Sequence, residues 1–467
     1  MAFSDVRTFE GEVLTGSLRG FFPAGGEVIV SRAPGRLDVL GGVIDYTGGT
    51  VCEMPLREAA VLGLQKRPDR QVRVRSLNAE AEGLTPEWTF ALDDLLACAD
   101  YPQAQEFFRR EPGIHWTGYV AGAFYVLARE RGVRFPAGAN LALRSEVPLG
   151  AGVSSSAALE IAAMQAICLA YGLELDGLTK ARLAQMVENR VVGAPCGLMD
   201  QLTSLLGREY ELLIIRCQPD VIEGSEPLPE GVQVAGINSG VKHSVGGSRY
   251  TDARVGAYMG HKIILTLLQE WGTTGQEDPF RGYLSQVPPA EFWAVYRPHL
   301  PAQMRGQEFL DRYGDILDAV TRVEPDRVYK IRSRAEHHVS ENARVAEFRR
   351  CLASYARTRD QRFLRRAGRL MYASHWSYSR RLGMGAAETD LLVRLARSLG
   401  EERGVYGAKI TGGGSGGAIA LLGDDRLPAA VREIAQRYEA ATGLTPDVFL
   451  GSSPGAEAFG HRLMRWG

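Results

Sequence analysis

The chain has 467 residues, 45% hydrophobic and 23% charged, which is the profile of a folded globular protein long enough for two domains. With 54 basic residues against 55 acidic ones the formal net charge is -1, so the chain is not built to bind nucleic acid or an anionic membrane. Six scattered cysteines (Cys52, Cys98, Cys168, Cys196, Cys217, Cys351) show neither CxxC nor zinc spacing and read as reduced thiols. The opening MAFSDVRTFEGE lacks the basic-then-apolar order of a signal peptide, and the longest mostly apolar stretch, 159–173, carries Glu160 and Gln165. No membrane segment and a cytoplasmic location are therefore expected.

In chain order, residues 27–32, 59–66 and 71–77 read as strands, rich in β-branched and apolar residues. A helix follows at 117–131, a strand at 139–147, and a helix at 155–171 whose apolar residues cover most of its surface, as in a helix at a domain centre. The next helix, 179–192, is ended by Gly193 and Pro195. Strands at 212–216 and 232–238 flank an acidic, Pro-containing stretch, 220–231, expected as a surface loop. Irregular or short helical structure is expected over 271–312. Helices at 357–382 and 388–399, a strand at 418–422 and a helix at 427–442 complete the chain. This alternation argues α/β or α+β in two domains, divided as 1–230 and 231–467.

Three glycine-rich segments carry the chemistry. In VPLGAGVSSSAA, residues 147–158, Gly150 and Gly152 allow a tight turn, and three serines stand where a helix exposes unpaired N–H groups. Free amides, the positive end of the helix dipole and hydroxyls together suit a phosphate; the alternative is a simple strand-to-helix turn. A Walker A loop is excluded because no lysine follows a glycine. Gly412, Gly414 and Gly417 satisfy GxGxxG spacing, but a strand follows them instead of a helix, so a dinucleotide fold does not fit.

In SRAPGRLDVLGGVIDYTGGT, residues 31–50, a strand is expected to end at Ala33-Pro34-Gly35, with Arg36 emerging from a sharp turn. Arg36, Asp38 and Asp45 in a glycine-rich apolar segment suggest a polar-ligand site or a structural ion pair. The third segment, KITGGGSGG at 409–417, suits either close backbone approach or a flexible surface loop.

Together, in this order, the segments resemble the three signature motifs of the GHMP kinase family. Pro148, Gly150, Gly152, Ser154, Ser155, Ser156, Ala157 and Ala158 fit its second motif. Ala33-Pro34-Gly35-Arg36, Asp45-Tyr46 and Gly197-Leu198-Met199-Asp200-Gln201, with Glu188 upstream, resemble its sugar kinases. Segments 41–59, 238–260, 309–315 and 371–379 are similar to the kinase portion of plant-type L-arabinokinases. No glycosyltransferase-like extension like theirs is visible, so a free-standing bacterial-style kinase is the expectation.

The resemblance implies an α+β two-domain fold: an N-terminal α/β domain with a left-handed β-α-β unit and a ferredoxin-like C-terminal domain, the active site lying between. It implies ATP and Mg2+, with the phosphate loop formed by Pro148, Gly150, Ala151, Gly152, Val153, Ser154, Ser155, Ser156 and Ala157. Ser155 and Glu188 are the implied metal ligands, since one carboxylate plus ATP oxygens suits Mg2+. Asp200 is placed beside the anomeric hydroxyl of a sugar, and Arg36 between Asp200 and the γ-phosphate. Asp45 and Tyr250 are implied sugar contacts.

At positions 42 and 43, where galactokinases carry Glu-His for the 6-hydroxyl of galactose, this chain reads Gly42-Val43. L-Arabinose shares the galactose ring stereochemistry but lacks the hydroxymethyl group, and a buried Glu facing no hydroxyl would carry a desolvation cost. An L-arabinose 1-kinase is the leading expectation. A galactose or uronic-acid kinase, and a silent sugar- and ATP-binding sensor, stay open; Lys242 or Arg57 could serve a uronate. Lys242 and His243 are as open to a structural role as to a functional one, while His337, His338 and His375 are read as structural. Leu77-Asn78 and the 88–101 region are the expected surroundings of adenine. A monomer or homodimer is expected, with small-molecule sugar and ATP as partners.

Overall fold

A computed structural model describes residues 3–241, 248–273, 277–318 and 320–466. In chain order the strands are β1 (Glu27–Leu40), β2 (Thr50–Lys66), β3 (Gln71–Ser76), β4 (Glu87–Ala91), β5 (Ala139–Ser145), β6 (Glu211–Arg216) and β7 (Val221–Pro227). They continue with β8 (Gln233–Asn238), β9 (Gln303–Arg305), β10 (Val328–Lys330), β11 (Val405–Ile410), β12 (Ala418–Gly423), β13 (Val448–Leu450) and β14 (Arg462–Arg465). The larger sheet runs β14-β1-β2-β5-β3-β4, with β6 on the far end of β2 and β7 beside it. Its parallel neighbours are β3 and β5.

The Ser155–Tyr171 helix crosses β1 and β2 and is buried on nearly every side. Its many alanines let it approach the sheet closely, and the Ser31 hydroxyl donates to the Ala162 carbonyl at 2.7 Å. Such a helix cannot drift, so the loop at its N-terminus is anchored by the main core.

The second sheet, β11-β12-β8-β13, is antiparallel. With helices between β8 and β11 and the Leu427–Thr442 helix between β12 and β13, it follows the β-α-β-β-α-β order of a ferredoxin-like domain. Helices Ser248–Glu270, Arg332–Thr358 and Gln361–Ser377 lie between β8 and β11; the first two help enclose a separate apolar core around Phe292, Phe309, Tyr329 and Tyr378, while the third packs its Leu364, Ala367, Leu370 and Met371 into the main core. Val43 and Tyr46, from the first glycine-rich segment, belong to that core.

Four expectations change. First, the strand does not stop at Pro34-Gly35. β1 runs on to Leu40 with a register irregularity between Pro34 and Arg36, so Arg36 sits within a strand. A bulge accommodates the proline, which has no N–H to donate, and Gly35 lies where a Cβ would meet the Val153 carbonyl at 2.7 Å.

Second, the stretch 220–231 contains β7, an edge strand that half-buried acidic residues disguise as loop; Arg349 pairs with Glu223 and Glu226 across it. Third, the 179–192 helix is regular only over Gly177–Met186 and widens to a π-helical turn at Val187–Val192, which carries Glu188. Fourth, the 230/231 division falls between the two sheets, but β14 returns to pair with β1, so the end of the chain lies in the first sheet.

Candidate active site

A cleft of about 490 Å³ runs between the two sheets. Arg36, Val43, Asp45, Asp200 and Tyr250 line one end, residues 147–150, Gly152 and 154–156 its middle, and Asn78, Trp116 and Tyr119 the other, while Ala151, Val153 and Ala157 are buried behind it. Gly412 and Gly413 of the third segment close one side.

The middle is built from backbone. Gly150, Gly152 and Ser154 all have left-handed φ, and the helix starts at Ser155 with no side chain capping it. That leaves first-turn amides directed at the cleft, at the positive end of the helix dipole. Ser154 does not cap because its hydroxyl donates to Asp200 Oδ2 at 2.5 Å. The third segment is buried, which settles its alternatives in favour of close approach. A Cβ at Gly412 would lie 2.6 Å from the Gly152 carbonyl, and one at Gly417 2.7 Å from that of Ala151. The two glycine loops thus pack backbone against backbone.

At the first end, Arg36 Nε and Nη2 lie 2.9 and 2.7 Å from Asp200 Oδ1, while Nη1 donates to the Gly152 carbonyl at 2.9 Å. Both oxygens of Asp200 are therefore held, one by Arg36 and one by Ser154. Burial works against the Arg36 charge, but Asp200, Glu53 and Asp38 outweigh it and raise its pKa. Asp45 is pushed up to about 6, first by burial, with Arg254 pulling the other way. Arg254 is itself held in a two-pronged pair by Asp318, at 2.7 and 2.8 Å, and lies over the Tyr46 ring. Tyr250 lines the cleft beside Tyr46, its hydroxyl made less acidic first by burial and then by Asp45.

Gly42 does not line the cleft. Its Cα faces Asp38 and the Tyr378 hydroxyl, with which a Cβ would collide. Val43 does line it, with φ +65°, an unusual conformation for a β-branched residue. Lys242 and His243 lie outside the described residues. His337 and His338 are buried in hydrogen bonds with Ser377, Thr47 and Tyr46.

Glu188 faces the cleft from its π-helical turn. Gln201 Nε2 donates to it at 2.8 Å and the Cys196 thiol at 3.2 Å, and burial pushes it up to about 7. The serine hydrogen-bonded to it is Ser156; Ser155 also lines the cleft. One carboxylate and serine hydroxyls are hard oxygen donors, suited to a Mg2+ ion that takes its remaining ligands from phosphate and water. Among the described residues no group of three His, Cys, Asp or Glu could cage a metal. The donor set therefore fits Mg2+ carried in with a nucleotide.

At the far end, Asn78 and Ser145 exchange hydrogen bonds of 3.0 and 2.7 Å across the cleft wall. Trp88 is packed instead among Phe90, Phe107 and Phe108, away from the cleft. The sequence reading missed Trp116 and Tyr119, at the start of a helix it had placed, because nothing in helical periodicity marks which end of a helix meets a cleft.

Family models match at residues 118–208 (GHMP kinases N terminal domain), 354–440 (GHMP kinases C terminal) and 21–66 (galactokinase galactose-binding signature). A galactokinase from Actinobacillus succinogenes is 32% identical over 90% of this chain and 91% of its own length. The chain belongs to the GHMP kinase family. It is similar to sugar kinases of the galactokinase and L-arabinokinase type.

The L-arabinokinase of Arabidopsis thaliana is 39% identical to this kinase over 96% of the chain, which spans about half (48%) of the plant protein's length. Lactococcus lactis galactokinase, solved with galactose, superposes with a TM-score of 0.72 at 22% identity, covering 97% of this chain and 98% of its own. No described helix is long and apolar enough to cross a membrane.

Proposed function

We propose that this kinase transfers the γ-phosphoryl group of ATP to the anomeric hydroxyl of L-arabinose, giving L-arabinose 1-phosphate and ADP. The observation that carries the choice of sugar is Val43. This apolar residue lines the cleft beside Asp45, at a position where the resemblance to galactokinases implies a polar partner for a 6-hydroxyl. The packing of Gly42 against Asp38 and Tyr378 leaves no room for the acidic member of that pair. A site without those partners suits a pentose. The similarity to L-arabinokinase supports the same reading.

In this reading, the anomeric oxygen attacks the γ-phosphorus, the bond to the bridging oxygen breaks, and ADP leaves. Asp200 orients the hydroxyl and accepts its proton, and its position is maintained by Arg36 and Ser154. Arg36 also neutralises charge developing on the transferred group. The first-turn amides of the Ser155–Tyr171 helix hold the phosphates. Bound Mg2+, held by Glu188 and Ser155, would spread the phosphate charge. Asn78, Trp116 and Tyr119 would enclose the adenine.

A uronic acid finds no free cation at this end among the described residues. Arg254 is committed to Asp318, and Arg36 to Asp200 and the Gly152 carbonyl. Galactose remains the second reading because a galactokinase is 32% identical over most of both chains.

Coupled ADP release against L-arabinose, D-galactose, D-galacturonate, D-glucuronate and D-xylose, with Asp200→Asn as blank, tests the proposal. A kcat/KM preference for L-arabinose is expected, and Val43→His should erode it. Preference for galactose or a uronate would overturn the choice of sugar. Binding without turnover would favour a sensor.

A further inference from the structure

Behind the reaction centre two carboxyl groups stand directly opposite each other on neighbouring strands. Asp38 of β1 is in register with Glu53 of β2, so their side chains share one face of the sheet, and both residues are 0% exposed. Around them are Arg36 on β1, Lys409 on β11, Asp200 on the Met199–Leu206 helix, Glu341 on the Arg332–Thr358 helix, the Tyr378 phenol and the Cys52 thiol.

The hydrogen-bond donors are shared unevenly. Lys409 Nζ donates to Asp38 Oδ2 at 2.8 Å. Asp200 takes Arg36 on one oxygen and Ser154 on the other. Glu53 accepts no hydrogen bond at either oxygen: Arg36 Nε comes within 3.1 Å of Oε2, but its N–H is aligned on Asp200. The carboxyls of Asp38, Glu53 and Asp200 thus share the cations of Arg36 and Lys409. In a dry interior the surplus charge is avoided by protonating the group with the fewest donors.

We propose that Glu53 is a positioning residue that works as a neutral acid: protonated, it leaves Arg36 turned onto Asp200, and ionised in alkaline solution, it competes for that guanidinium. The proton leaves to solvent and no other bond changes. Burial, then the facing Asp38, pushes the Glu53 carboxyl well above the usual carboxylate range. The inference rests on the roles proposed above for Arg36 and Asp200.

The test compares wild type with Glu53→Gln, which keeps shape and neutrality, using the sugar that the panel shows to be turned over. Near neutral pH the variant should keep kcat within about twofold, whereas wild-type kcat should fall about tenfold or more along an alkaline limb that the variant lacks. Thermal stability should follow. The native state holds one proton more than the unfolded chain between the ordinary Glu range and the raised value, so wild-type stability falls as pH rises through that window and the variant's does not.

Infrared difference spectra on raising the pH, once exposed carboxyls have ionised, should show protonated-carboxyl bands from Glu160 and Glu188 in both proteins and, in wild type only, a further component that disappears with pH and is missing from Glu53→Gln. If Glu53→Gln folds poorly, Glu53→Met serves in all three measurements. The same alkaline limb in both proteins, the same carboxyl bands in wild type and variant, or a variant slow at every pH would overturn the proposal. If no sugar is turned over, the proposed function fails while the wild-type component still decides whether Glu53 holds a proton.

Discussion

Two buried carboxyl pairs flank the cleft, and they are neutralised in different ways. Asp38 and Glu53 lie among two permanent cations, Lys409 and Arg36, which come from opposite domains. Glu160 and Glu188 are bridged by a neutral amide, Gln201 Nε2, at 2.9 and 2.8 Å. The first pair is neutralised within the protein, by Lys409 on Asp38 and by the proton proposed on Glu53, and so leaves Arg36 on Asp200. The second pairs with no cation among the described residues, and its cleft-facing member is the residue suited to hold a metal. Where the chain supplies the positive charge, the site is rigid; where it does not, the site can take the charge from its nucleotide complex.

That contrast can be broken from either side. The largest effect is expected at the end with built-in cations: Asp200→Asn should lower kcat about 10²–10⁴-fold while ligand-induced thermal stabilisation by the sugar persists. Equal loss of both would show that Asp200 mainly supports the fold.

At the other pair, Gln201→Leu removes the amide that steadies Glu188. It should weaken the Mg2+ requirement curve about 10–100-fold, read as the Mg2+ concentration giving half-maximal rate, with the sugar KM unmoved.

A smaller, pH-dependent effect is expected at Asp45. Its folded pKa is raised to about 6, so it is ionised at neutral pH and gains a proton as pH falls through that value. A neutral carboxyl is a poorer acceptor for sugar hydroxyls, so the sugar KM should rise about tenfold between neutral pH and one unit below that value, and Asp45→Asn should flatten the curve.

The smallest effect joins the two regions. Gly412→Ala places a Cβ at φ +63° and 2.6 Å from the Gly152 carbonyl, and should cost about 1–3 kcal/mol, seen as a lower Tm with a raised ATP KM. Unchanged stability would mean the two glycine loops are not packed as described.

Gly42 shows how a reading carried over from a family resemblance can mistake a packing position for a pocket position. The exchange of Glu-His for Gly-Val draws attention to the right segment, but only Val43 reaches the cleft. Gly42→Glu would collide with Tyr378 and Asp38, so it tests folding rather than sugar choice.

The sequence by itself determined the family, the alternation of strands and helices, the helix bounds at Thr117–Arg131 and Ser155–Tyr171, and the serine loop between strand and helix. These are local: periodicity, capping and glycine placement act over a few residues. What only the tertiary structure decided are the long-range partners. The Ser154 hydroxyl turns to Asp200, 46 residues away, and Lys409 reaches Asp38 across 371 residues. Glu53 lies within the apolar run TVCEMPL and gives no local sign of its role. Its role depends on which cations and carboxyls the fold gathers around it, and low-dielectric burial makes that gathering decisive.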